Sequence, residues 1–104
     1  MASFKKVVKK TTLVVGMALI IVFHFTEKGK LPKLSEKELR DIRAKFLEVL
    51  KDYPEVTFYG TWVNEEGMGI CLWEAPSPET VKEIVAKVLG SPPVDPVIIG
   101  KKVL

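Results

Sequence analysis

The chain has 104 residues and 11.6 kDa, enough for one domain with one hydrophobic core. At 47% hydrophobic residues and a net charge of +3 it falls outside the disordered class, and its Lys and Arg alternate with Glu and Asp instead of forming the basic stripe of a specific nucleic-acid binder. One cysteine, Cys71, excludes an intrachain disulfide framework and a Cys-rich zinc site; together with the single histidine, His24, it leaves no readable metal site or cofactor motif.

The first 16 residues, MASFKKVVKKTTLVVG, place the basic cluster Lys5, Lys6, Lys9 and Lys10 ahead of an apolar run that ends at Phe25. This arrangement resembles a signal peptide, yet the apolar run is shorter than the roughly 20 residues of a membrane span and lacks a small-x-small cleavage site. A signal or anchor over residues 1–25 stands beside two other readings, an N-terminal arm of the fold or an extension with the natural start at Met17. We take residues 1–16 as an extension or arm and 17–104 as the single domain, with a cytoplasmic location and no membrane partner expected. The absence of Gln, one Asn, and abundant Lys and Glu fit a thermophile.

Ala18 to Thr26, ALIIVFHFT, reads as a buried strand. Leu19, Ile21, Phe23 and Phe25 share one face; Ile20, Val22 and His24 share the other. A loop marked by Gly29 and Pro32 follows. Ser35 to Asp52 reads as a helix, opened by the capping box Ser35–Glu38, with Leu39, Ile42, Phe46, Val49 and Leu50 on one side. Val56 to Glu74 reads as a β-hairpin about the turn Asn64-Glu65-Glu66-Gly67, Gly67 supplying a positive φ. Ser77, Pro78 and Glu79 open a second helix with a buried stripe of Val81, Ile84, Val85 and Val88, and Gly90 stops it. A last strand is centred on Val97-Ile98-Ile99, and the whole gives the order β-α-β-β-α-β. That order is the α+β, ferredoxin-like pattern: a four-stranded antiparallel sheet with two helices on one face.

Tyr59-Gly60-Thr61-Trp62-Val63, the Cys71 strand ending in Trp73-Glu74-Ala75-Pro76, and Pro93 to Val97 carry a resemblance over residues 17–104. The chain resembles the small dimeric α+β-barrel superfamily, most of all its uncharacterised single-domain families. More distantly it is similar to cofactor-independent monooxygenases of polyketide quinones and to muconolactone-isomerase-like proteins. The resemblance implies two sheets packed face to face as a homodimer and ligands held between sheet and helices. The monooxygenases use Asn, Trp and His side chains; Asn64 falls in the expected turn here, so those roles are not transferred.

Strand parity assigns Leu19, Ile21, Phe23, Phe58, Trp62 and Leu72 to the face under the helices. Ile20, Val22, His24, Tyr59, Cys71 and Trp73 then form the open face, the candidate pocket or dimer interface. His24 could serve as a general base or stand as a hydrogen-bonded structural residue. Cys71 shares its face, which permits Cys–His chemistry, although no cation or helix start near Cys71 promises an activated thiol. Glu74 and Asp95 are further carboxylates in range of chemistry, whereas Glu65 and Glu66 are turn residues. The sequence therefore points to a homodimeric domain for ligand binding or assembly, its ligand small and apolar or aromatic. The alternative is a cofactor-independent monooxygenase- or isomerase-like enzyme acting on a small aromatic substrate, and the catalytic residues of such an enzyme stay unassigned.

Overall fold

The computed structural model describes residues 16–104, so the extension or arm expected at 1–16 lies, apart from Gly16, outside the described residues. The elements run β1 (Ala18–His24), α1 (Glu36–Leu50), β2 (Thr57–Val63), β3 (Gly69–Ala75), α2 (Pro78–Leu89) and β4 (Val97–Gly100). This is an α+β chain of four strands and two helices in the order β-α-β-β-α-β. The strands form one antiparallel sheet in the order β2-β3-β1-β4. Among the described residues no helix is long and apolar enough to cross a membrane.

Local chemistry explains the element ends. Ser35 Oγ accepts from Glu38 N at 3.1 Å while Glu38 Oε1 accepts from Ser35 N at 2.8 Å, closing both free donors at the start of α1. Ser77 caps α2, Pro78 stands in its first turn, and Gly90 ends it in the left-handed region at φ 93°. In the hairpin, Asn64 Oδ1 accepts from the backbone N–H groups of Glu66 and Met68, and Gly67 turns the chain at φ 84°.

The core lies on the sheet face that carries Ile20, Val22, Trp73 and Ala75, against Val81, Ile84 and Val85 of α2. Phe46, Val49 and Leu50 of α1 pack on the same cluster, although no residue of α1 is fully buried. The face assignment made from parity is therefore reversed for β1 and β3. Ile20, Val22 and Trp73 are at most 1% exposed beneath the helices, not on an open face. Apart from His24 at its end, both parities of β1 are apolar, so alternation carries no information about which side is inside. Branched Ile20 and Val22 beside small Ala75 let α2 approach closely, and the larger Leu19, Ile21 and Phe23 are left on the other face, half-buried.

β2 contains the second correction. Phe58 pairs with Trp73 and Gly60 with Leu72, so one extra residue stands between them, and Gly60 takes φ 139°. The bulge inverts the alternation. Phe58 stays on the helix side as expected, but Trp62 does not: it lies on the opposite face, 55% exposed. That face displays Leu19, Ile21, Phe23, Trp62, Ile70, Leu72 and Ile98 in adjoining register.

Candidate functional site

The site grows from the end of β1. Asp95, buried ahead of β4, accepts from the N–H groups of Phe25 and Thr26 and, at 2.6 Å, from the Thr26 hydroxyl. These bonds, the Thr26 hydroxyl first, hold its carboxyl below the usual carboxylate range against the opposing effect of burial. The carboxylate sits over Gly29, where a Cβ would come within 2.2 Å of Asp95 Oδ2. Thr26 O accepts from Gly29 N and Lys30 N at 2.9 and 2.8 Å. The tight turn thus formed brings Gly29 O back onto the ring of His24.

His24 Nδ1 lies 3.1 Å from Gly29 O, and Nε2 lies 3.0 Å from Cys71 Sγ. A carbonyl can only accept, so Nδ1 carries its proton toward Gly29. In the neutral ring Nε2 is then left to accept from the Cys71 thiol. Thr61 Oγ1 lies 2.9 Å from the same sulfur and completes the set by donating to it. Burial pushes the Cys71 thiol above its ordinary range, and the Thr61 contact opposes this in part. At neutral pH the sulfur is protonated, with a base already in hydrogen-bond contact.

The group faces a cavity of about 500 Å³ between sheet and helices. Its sheet wall holds Val22, His24, Thr61, Cys71 and Trp73; α1 closes it with Ile42, Arg43 and Phe46. The apolar stripe of α1 therefore borders a hollow, which explains why none of it is fully buried. Phe58, Phe46 and Trp73 form an aromatic cluster, with ring centroids 4.4 Å apart for Phe58–Trp73 and 5.1 Å for Phe46–Phe58. Trp73 is fully buried, and among the described residues its indole N–H has no hydrogen-bond partner. A second hollow, about 550 Å³ between residues 30–34 and the hairpin turn, holds neither histidine nor cysteine.

Of the residues singled out in the sequence, His24, Cys71, Trp73 and Val22 meet at this cavity, and Ile20 supports it from the core. Tyr59 stands apart. Its hydroxyl donates to Glu74 Oε1 at 2.8 Å on the other side of the sheet, and that bond raises its pKa. Glu74 is thereby occupied, and Glu65 and Glu66 lie in the turn. Sequence reasoning missed Thr61, Arg43 and the bracing role of Asp95. Strand parity alone sets Thr61 on the face of His24 and Cys71, as the pairing of Thr61 with Cys71 bears out, but nothing in the sequence signals its contact with the sulfur.

A family model described as "Nickel responsive protein SCO4226-like" matches residues 21–98. No curated protein and no solved structure matches the chain.

Proposed function

This chain belongs to the SCO4226-like family, and we propose that it is a small-molecule-binding domain, holding one compact aromatic or apolar ligand between sheet and helices. The observation that carries this reading is the cavity of about 500 Å³, walled by Phe46, Phe58 and Trp73 with His24, Cys71 and Thr61 as its polar corner. An apolar hollow with a few convergent polar groups is the usual form of a ligand site.

The ferredoxin-like, dimeric α+β-barrel assignment belongs to the same proposal. The order β2-β3-β1-β4, with β1 and β3 central, supports it. Among the described residues no helix covers the face bearing Leu19, Ile21, Phe23, Trp62 and Leu72, which favours pairing with a second copy, sheet against sheet. Cys71 is a free thiol, which suits a cytoplasmic location.

Nickel stands in the printed description of the family. Square-planar or tetragonal sets of donors suit that ion. The described residues gather no group of three or more His, Cys, Asp or Glu side chains, and residues 1–15 contain none of these types. His24 and Cys71 supply two donors, already joined to each other. The chain's own residues do not fit a nickel centre, and we assign it none.

The second reading, a cofactor-independent enzyme acting on a small aromatic substrate, is favoured by one observation: the contact between His24 Nε2 and Cys71 Sγ. Binding of 2-naphthol tests the main reading. Trp62→Phe leaves Trp73 as the only tryptophan, and its emission should quench on titration with saturable, one-to-one stoichiometry. Unchanged emission, together with no heat on calorimetric titration, would overturn the proposal.

A further inference from the structure

Three features of the cavity point to a more reactive ligand than an inert aromatic. The thiol of Cys71 is hydrogen-bonded to a base, His24 Nε2, whose other nitrogen is anchored on Gly29 O. Trp73, in the same wall, is fully buried and carries an N–H that lacks an acceptor among the described residues. Among the described residues Arg43 is the only Lys, Arg, Asp or Glu along the lining, so the cavity favours a ligand with an electron-rich oxygen over a cationic one. Around these groups the walls are aromatic and aliphatic.

We propose that Cys71 is a nucleophile, with His24 as its base, that captures aromatic ligands bearing a conjugated carbonyl, the aryl enones. This rests on the ligand-binding reading above. The Cys71 S–H proton passes to His24 Nε2 as the sulfur electron pair forms a bond to the β-carbon of the enone. The alkene π pair moves onto the carbonyl to give an enolate, and His24 returns the proton to the α-carbon. Nothing leaves, nothing is oxidised, and the product is a saturated carbonyl joined to the chain as a thioether. Thr61, donating to the sulfur, steadies the thiolate as it forms. The need for a base is explicit because burial keeps the sulfur protonated.

The probe is benzylideneacetone, with intact mass as the readout and glutathione at the same pH as the reference thiol. The full chain should gain one probe mass, mapped to Cys71, faster than glutathione does, and Cys71→Ser should gain none. His24→Gln should slow the reaction by about 10²-fold, the lower range for loss of a positioned base. Because His24→Gln could perturb the fold, the wild-type chain unfolded in urea serves as a second comparison. It presents the same thiol without the imidazole and should react more slowly than the folded chain. A folded chain no faster than its unfolded form or than glutathione, or a folded His24→Gln chain as fast as wild type, overturns the proposal. If 2-naphthol binds while the enone leaves no adduct, the covalent step fails and the binding reading stands. If neither binds, both fail.

Discussion

Phe58 and Thr61, three residues apart on one strand, face the same side of the sheet: Phe58 packs against Trp73 with the rings tilted at 32° while Thr61 reaches the sulfur of Cys71. In a regular strand that spacing would put them on opposite sides. The bulge between Phe58 and Gly60 brings the aromatic cluster and the polar corner into one cavity.

Gly60→Ala should therefore be costly. The backbone there holds φ 139°, and an added Cβ would touch the Trp62 ring at 3.4 Å. A side chain in so sparsely populated a region costs about 1–3 kcal/mol. Urea denaturation of the variant should show a loss in that range, and reaction of Cys71 with a thiol reagent should change as Thr61 shifts.

Asp95 predicts a specific acid sensitivity. Its carboxyl is held below the ordinary range when folded and titrates near pH ~4 when unfolded. A depressed folded pKa stabilises the fold fully above the unfolded value, and that contribution disappears as pH falls through the folded one. Between about pH 5 and pH 2 the Tm of wild type should fall more steeply than that of Asp95→Asn. Asp95→Asn should also be less stable near neutral pH. Parallel Tm curves for the two proteins would contradict the role given to Asp95.

The two faces of β1 and β3 predict different fates for two charged substitutions. If the proposed sheet-to-sheet dimer forms, sedimentation equilibrium should show a dimeric wild type and a folded, monomeric Leu72→Glu, a change on the face that no helix covers among the described residues. Val22→Lys, 1% exposed at the wild-type residue, places an unpaired charge in the core and should unfold the chain. A folded Val22→Lys protein would reverse the face assignment.

Phe46 closes the cavity and packs on Phe58 and Trp73. Because it is only half-buried, Phe46→Ala should lose about 3 kcal/mol, the low end for such truncations. Leu47→Ala, at a residue 61% exposed one position along, should stay within about 0.5 kcal/mol of wild type. Chemical denaturation of both variants checks the contrast. The Phe46 variant should also bind 2-naphthol more weakly.

The sequence made the elements legible because their ends are written in local chemistry. Ser35–Glu38, Ser77-Pro78 and Gly90 act within a turn or two of themselves, and the Val81–Val88 stripe of α2 is buried as its spacing predicts. The shared face of His24 and Cys71 was legible for the same reason, since each follows simple alternation along its own strand. Which face was inside was not. Leu19, Ile21 and Phe23 offer more apolar surface than Ile20 and Val22, and the choice between them is made by α2, far along the chain. Trp62 was misplaced because a bulge is a property of two paired strands, while parity was counted on one.

The hairpin also sets what this sequence can become. A Cβ on Gly67 would sit 2.1 Å from Leu31 O, and one on Gly69 would sit 1.8 Å from Trp62 O. Both obstacles are backbone atoms, which cannot swing aside as a side chain would. Glu65 and Glu66, between them and Asn64, are exposed. Mutational drift is therefore free at the crest of the loop and blocked at its base. A library randomised over residues 64–69 should return glycine at positions 67 and 69 and almost anything at 65 and 66.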